Sequence, residues 1–326
     1  MRVLVTGASG MLGRGVATAL SARGDDVTTF QRRPAGVPCA RQVLGSVDDP
    51  AAVAAATADQ DAVVHLAAKV SFAGDPADFE RVNVEGTRLL LDAARSAGAS
   101  RFVLVSSPSV AHTGTSIVGD GARTATPELA RGSYARTKAA AELAALAADA
   151  PGFAVVAVRP HIVWGPGDTQ LVQRVVDRAA AGRLPILDSG AALIDTTYVD
   201  NAVSAIVAAL DRAEEVRGEA FVVTNGEPRP VAELIAGMCR AAGVAPPAWS
   251  VPGALARAAG AVVERLWAVR PGVDEPPMTR FLAEQLSTAH WFDLRRTREA
   301  LRWEPAVSLD EGFARLATHY RAHEVA

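Results

Sequence analysis

Short apolar runs alternate with longer stretches of helical spacing through the first two-thirds of the chain. Val3-Leu4-Val5, Val27-Thr28-Thr29-Phe30, the run from Asp61 to Lys69, which passes into a small-residue turn, Arg101 to Ser107 and Ala154 to Pro160 each read as a strand, being short and rich in β-branched residues. Helical patterns fall between them: one to Leu20, then Ala51 to Ala58, Phe79 to Ala97, and an Ala-rich run from Tyr134 to Ala148. Strands and helices in alternation specify an α/β fold with a doubly wound parallel sheet. Ile194 to Tyr198 and Ala220 to Thr224 read as returns to that sheet, whereas residues 164–191 and 225–326 lose the alternation. In the latter, Leu255, Ala259, Val262 and Leu266 share a helical face, and Trp267, Phe281, Leu282, Leu286 and Trp291 follow. Such a stripe reads as core, or as an apolar lid that could touch a membrane surface. Arg257, Glu264 and Arg265 exclude a transmembrane helix there.

Composition narrows the class. With 326 residues, 49% of them hydrophobic, the chain can bury a sizeable core. A net charge of -3 and a pI near 6.1 give no global electrostatic case for nucleic acid. Cys39 and Cys239 belong to no CxxC or histidine cluster, which argues against a metal site or disulfide framework and fits a reducing, cytoplasmic compartment. A first strand starting at Arg2 leaves no room for a signal peptide, and no apolar run reaches the ~18 residues of a membrane span. Of the 33 basic residues, all but Lys69 and Lys138 are arginine. A lysine kept in such a background hints at a place that wants a compact point charge.

The first strand runs at once into Thr6-Gly7-Ala8-Ser9-Gly10-Met11-Leu12-Gly13, which opens a helix. Glycines so spaced permit a tight turn, close approach of backbone to a pyrophosphate and close packing of helix on strand. The helix N-terminus adds free N–H groups. Gly7, Ser9, Gly10, Met11, Leu12 and Gly13 are therefore candidate dinucleotide contacts. Where NAD-binding folds usually place a carboxylate for the ribose hydroxyls, this chain has Gln31-Arg32-Arg33. Without the carboxylate a 2′-phosphate is not repelled, and two guanidiniums can pair with it, so NADP(H) is expected over NAD(H). Ser46 and Val47 fall near the adenine. Leu66-Ala67-Ala68-Lys69 makes a small-residue turn on which a dinucleotide can lie, and Lys69 reads as solvent-facing or as a cofactor or substrate contact. Val105, Pro160, Ile162 and Val163, at strand ends, complete the candidate cofactor contacts. His65 reads as a core residue, and Asn83 as a core amide or a member of a proton relay. The expected division is a dinucleotide-binding domain of residues 1–163 and 192–224 with a substrate-binding lobe of residues 164–191 and 225–326.

Tyr134 and Lys138 lie four residues apart at the start of the Ala-rich helix, hence on one face. A fixed cation near a phenol lowers its pKa from ~10, and such a phenol can exchange a proton with a carbonyl or alcohol oxygen. Ser106 and Ser107 end the Arg101 strand, on the side where parallel sheets bind ligands. No GxSxG elbow surrounds them, so a hydrolase is not indicated.

Together Thr6-Gly7-x-x-Gly10-x-x-Gly13, Ser107, Tyr134-x-x-x-Lys138 and Arg159-Pro160 resemble an extended short-chain dehydrogenase/reductase over essentially the whole chain. Trp164 to Asp168, Tyr198 to Asn201 and Asn225 to Pro228 resemble its 3β-hydroxysteroid dehydrogenase branch. Phe30-Gln31-Arg32, Ala67-Ala68-Lys69 and Met278 to Leu282 with His290-Trp291 resemble the branch that reduces 2-alkyl-3-oxoalkanoates in bacterial long-chain olefin synthesis. The resemblance implies a reductase of a lipid-like keto substrate. Tyr134 would be the general acid, Lys138 would bind the nicotinamide ribose and lower the phenol's pKa, and Ser107 would orient the ketone. It also implies a homodimer, with other enzymes of the olefin pathway as candidate partners. Alternatives are a 3β-hydroxysteroid or sterol dehydrogenase, an NDP-sugar epimerase and a non-catalytic dinucleotide sensor. Two positions depart from the pattern: Ser46 replaces an adenine-contacting Asp, and His161 replaces the Arg expected of the olefin branch.

Overall fold

A computed structural model describes residues 1–38, 40–71, 74–112, 115–268 and 280–324, without the side chains of residues 264–268, 280–282, 323 and 324. Seven strands form its central sheet: β1 (Arg2–Thr6), β2 (Asp26–Gln31), β3 (Arg41–Leu44), β4 (Ala62–His65), β5 (Arg101–Val105), β6 (Ala154–Pro160) and β7 (Ala220–Val223). They lie in the order β7-β6-β5-β4-β1-β2-β3, and every neighbouring pair is parallel. Successive side chains of a strand point to opposite faces, so a sheet covered on both sides is apolar throughout. Val3 and Val5 pack with Val64, Val103 and Val156 against α1 (Met11–Ala22) and α5 (Val199–Asp211). Leu4, Val63, Phe102 and Val155 face α2 (Pro50–Thr57), α3 (Gly86–Ser96) and α4 (Gly132–Ala147). Each such fully buried Val, Leu or Phe contributes about 1.5–3 kcal/mol. From β1 the chain winds first toward β3 and then, from β4, the other way. A crevice therefore opens between the carboxyl ends of β1 and β4.

Several elements differ from the sequence pattern. β3 is an exposed edge strand with no apolar run to announce it. The stretch from Phe79 to Ala97 is not one α-helix, because a π-helical turn, Glu80–Glu85, precedes α3. Residues 193–198 do not rejoin the central sheet. Ile194 pairs with His290 and Arg229 in a four-stranded sheet, and Thr197-Tyr198 pairs with Val163-Trp164. The helix Gly253–Ala268 buries Gly253, Ala256 and Gly260, so Leu255 and Val262 point outward, 62% and 57% exposed. Its orientation is set at its start, where Ser250-Val251 pairs with Ile186-Leu187 and the Gly253 N–H donates to Asp188 Oδ1 at 2.7 Å. Met278 and Thr279 and the side chains of Leu266, Trp267, Phe281 and Leu282 lie outside the described residues. No described helix is long and apolar enough to cross a membrane.

Polar staples join a second hydrophobic cluster, which includes Trp164, Val172, Ile194, Leu234 and Leu309, to the sheet. Trp164, fully buried, stacks on Phe313 at 4.7 Å and donates from Nε1 to Thr196 Oγ1 at 2.9 Å. Asn201 and Asn225 both donate to the Val307 carbonyl, at 2.7 and 2.8 Å. One charged pair lies in the core itself. Arg159 of β6, 1% exposed, donates from Nε to Glu142 Oε2 at 2.9 Å and pairs through a second nitrogen with Oε1. Its third nitrogen donates to the Arg123 carbonyl at 2.7 Å. Breaking such a pair leaves one buried charge uncompensated. Glu142→Ala is thus expected to lower the unfolding free energy by roughly 3–5 kcal/mol in urea denaturation, whereas a loss below about 1 kcal/mol contradicts this reading.

Candidate active site

The crevice is bounded by the turn after β1. Gly7 has φ of +73°, and a Cβ there would stand 2.8 Å from the Ala67 backbone nitrogen. At Gly13 a Cβ would meet the Gly7 carbonyl oxygen at 2.4 Å, so only glycine lets α1 approach β1 this closely. No side chain caps the start of α1, and its first N–H groups remain available to an anion. Thr6 Oγ1 accepts from the backbone N–H of Leu66 and Ala67 at 3.1 and 3.0 Å, which fixes the facing turn. The same hydroxyl meets His65 Nδ1 at 2.7 Å, and His65 Nε2 meets Thr87 Oγ1 at 3.0 Å. His65 is accordingly a satisfied core residue, held neutral by burial with its pKa down to about 3.

A cleft of about 1870 Å³ runs from this turn across the strand ends. Gly7, Ser9, Gly10, Met11, Leu12 and Gly13 line it, with Gln31, Arg32, Arg33, Leu66, Ala67, Ala68 and Lys69. So do Val105, Ser107, Tyr134, Lys138, Pro160, Ile162 and Val163. Ser46 and Val47 are not brought into it. Val47 is a core residue instead, packed so closely on α3 that a Cβ at Gly86 would lie 2.8 Å from its Cγ2. The Gln31 amide donates to Thr29 Oγ1 at 3.3 Å and Gln42 Oε1 at 3.2 Å, which anchors the start of the segment carrying Arg32 and Arg33. Those two arginines are exposed and form no ion pair among the described residues.

At the other end lie the phenol, the ammonium and the hydroxyl. Tyr134 occupies the first turn of α4, and Lys138 follows one turn later on the same face, 4% exposed. The Lys138 ammonium donates to the Val105 carbonyl at 2.6 Å. Burial lowers its pKa to about 8, against the opposing pull of Glu142. The sequence-based expectation that this cation acidifies the phenol does not hold. Burial pushes Tyr134 up to about 12, and the opposing influence is a hydrogen bond with the Ser107 side chain. The physical reason is desolvation: burial disfavours the charged phenolate more than the neighbouring ammonium favours it. Ser107 Oγ in turn accepts from the Ser109 N–H at 3.2 Å and from Ser109 Oγ at 3.0 Å.

Asn83 is a fastener. Its Oδ1 accepts from the Lys69 N–H at 2.7 Å, while Nδ2 donates to the Lys69 carbonyl at 3.2 Å and to Thr137 Oγ1, on α4, at 3.1 Å. His161 lies just beyond the lining, its Nδ1 2.6 Å from the Asp195 carbonyl, and burial lowers its pKa to about 4. It is therefore a neutral group where a cation was expected. Arg14, Ser71, Gln170, Asp200 and Arg315 also line the cleft and were not anticipated. Arg315 arrives from the helix Leu309–Glu324, far along the chain, with no local motif to mark it.

Residues 3–224 match the sequence pattern of the NAD dependent epimerase/dehydratase family. A 2-alkyl-3-oxoalkanoate reductase of Stenotrophomonas maltophilia is 40% identical over 97% of this chain and 98% of its own. A 3-beta-hydroxysteroid dehydrogenase of Mycolicibacterium neoaurum is 30% identical over 98% of this chain and 90% of its own. The crystal structure of gox2253 superposes with a TM-score of 0.79 at 26% identity, covering 98% of both chains. The chain belongs to the epimerase/dehydratase family of extended short-chain dehydrogenases/reductases, which places it among the NAD(P)-dependent oxidoreductases.

The burial of Lys138 gives a stability signature. Its folded pKa is about 8 against an ordinary 10.5, so between these values the unfolded chain holds a proton that the folded chain has released. Stability from this group therefore rises with pH across that window, and the cost of burying the charge is fully present below it. Measured by denaturation from pH 7 to 10, wild type should gain on Lys138→Met as pH rises. A constant difference contradicts the assignment.

Proposed function

Taking that family as the premise, we propose that the chain is an NADPH-dependent reductase that converts the ketone of a 2-alkyl-3-oxoalkanoic acid into a secondary alcohol. The observation that carries this reading is the Tyr134 phenol beside the Ser107 side chain in the same cleft as the uncapped α1 N-terminus and the glycines whose Cβ atoms would fill the turn. The residues fit a dinucleotide: α1 and its glycine turn suit the pyrophosphate, Leu66 to Ala68 offer a flat backbone surface, and Arg32 and Arg33 suit a 2′-phosphate. When bound, the reduced cofactor supplies hydride to the carbonyl carbon.

This chain's own residues handle the oxygen. A phenol held near pKa 12 keeps its proton at neutral pH, so Tyr134 is set as an acid. Ser107 donates to the ketone oxygen and stabilises the negative charge that builds there as the carbonyl carbon is reduced, until the proton from Tyr134 neutralises it. Water returns a proton to the phenolate afterwards. Lys138 holds the ribose hydroxyls nearest the reacting ring, and its charge beside the newly formed phenolate eases the transfer. The lobe of residues 164–191 and 225–326 receives the alkyl arms, and the 40% identical reductase supports that choice of substrate. The same reading has the enzyme act in the cytoplasm as a homodimer.

Cofactor oxidation followed with alkyl keto acids and steroids side by side tests the proposal. The expected result is NADPH consumption with the keto acid, lowered ~10²–10⁴-fold in kcat by Tyr134→Phe with NADPH affinity retained. Arg32→Ala combined with Arg33→Ala should weaken NADPH binding and leave NADH binding unchanged. Turnover of sterols alone, or NADH binding as tight as NADPH in the wild type, overturns the respective part of this reading.

A further inference from the structure

A 3-oxo acid carries its carboxylate one carbon away from the ketone, so whatever reads the acid must stand beside the groups that hold the ketone. Those groups lie on or just after β5 and on α4. Neighbouring strands are about 4.8 Å apart, and β4 is the neighbour of β5 on the side of the glycine turn. The residue that leaves the end of β4 and lines the cleft with a positive charge is Lys69.

The described cations lining the cleft are Arg14, Arg32, Arg33, Lys69, Lys138 and Arg315. Arg32 and Arg33 follow β2, and Arg14 lies on α1, beyond β1 from the reacting groups. Lys138, bonded to the Val105 carbonyl at 2.6 Å, is the group already assigned to the ribose hydroxyls. Arg315 stands with Asp200 at the start of α5, on the sheet face opposite α4. His161, hydrogen-bonded to the Asp195 carbonyl and kept neutral by burial, brings no charge.

Lys69 is built as a receiver. Both its backbone N–H and its carbonyl are clamped by Asn83, which also grips Thr137 between Tyr134 and Lys138, so the base of the side chain is fixed relative to the reacting helix. Its stem reaches toward Phe79, with Nζ 5.0 Å from the ring centroid. Nζ already holds a carboxylate oxygen, Asp78 Oδ2, at 2.7 Å. Both partners are partly open to solvent, 27% and 43% exposed, so the pair can exchange. Asp78 Oδ1 is bonded separately to Arg81 at 2.8 Å, so Asp78 keeps a cation when Lys69 lets go. The choice of residue is itself informative, since 33 basic positions include two lysines and the other is Lys138.

We infer that Lys69 exchanges Asp78 for the carboxylate of the keto acid and so selects the acid over neutral ketones. This assignment rests on the reductase reading above and adds to it the group that recognises the substrate's charge. Three proteins, wild type, Lys69→Gln and Lys69→Arg, are assayed with a 2-alkyl-3-oxoalkanoate, its methyl ester and varied NADPH. Thermal midpoints confirm that each is folded. Wild type should prefer the acid, and Lys69→Gln should raise KM for the acid roughly tenfold or more with KM for the ester and for NADPH unchanged. Lys69→Arg should recover part of the loss. Equal effects on acid and ester, a raised KM for NADPH, or a wild type that prefers the ester overturns the assignment while leaving the reductase reading intact. A wild type that reduces neither acid nor ester overturns the reductase reading, and the Lys69 assignment falls with it.

Discussion

One face of α4 presses a phenol, an ammonium and a carboxylate into the molecule, and the site depends on how that face is neutralised. Tyr134, Lys138 and Glu142 follow one another at four-residue steps, a spacing that stacks them along a single stripe. Burying two opposite charges there is costly unless each finds its partners. Glu142 meets the guanidinium of Arg159 in the middle of the sheet, and the third nitrogen of Arg159 donates to the Arg123 carbonyl. Lys138 is left to the Val105 carbonyl at the end of β5. These contacts hold α4 in register with the strand ends, and Tyr134 inherits its position from them.

The same packing explains the chemistry available to the phenol. Proximity in sequence suggested an acid sharpened by the ammonium, yet the ring lies where desolvation outweighs any such pull. The phenol beside Ser107 is held neutral, the form that the proposed reduction requires. Ser109 supports this by directing two donors at the Ser107 oxygen, leaving its hydroxyl proton to point elsewhere. Across the cleft, the glycine turn and Thr6 shape a backbone surface in which close approach is purchased by the absence of side chains.

Much of this was readable from residues alone. Apolar runs from three residues upward marked β1, β4, β5 and β6, because a strand buried on both faces cannot hide its composition. Gly7, Gly10 and Gly13 directly after a strand marked the turn, and the tyrosine and lysine at helical spacing marked the reacting face. What escaped was set by distant partners. β3 is held at the sheet edge by pairing with β2 and carries no apolar signal. Ile194 and Tyr198 pair with segments near residues 290 and 164, an arrangement no local window contains. Leu255 and Val262 kept a helical period but lie on the outer face, since periodicity finds a stripe without saying which neighbour covers it. Trp164, Asn201 and Asn225, quoted in the sequence for their family likeness, turn out to be structural staples. Val47 looked like a cofactor neighbour and is a core residue, because adjacency to a strand end does not fix which way a side chain turns.

In the proposed reaction a ketone, hydrogen-bonded to Tyr134 and Ser107, takes hydride from a reduced nicotinamide and leaves as an alcohol. An isotope label follows that transfer: NADPH deuterated at both C4 positions is incubated with wild type and a 2-alkyl-3-oxoalkanoate, and the products are read by mass spectrometry. One deuterium at C3 of the released hydroxy acid is the predicted result. An unlabelled product, or label that stays on the cofactor while the substrate is unchanged, would contradict it.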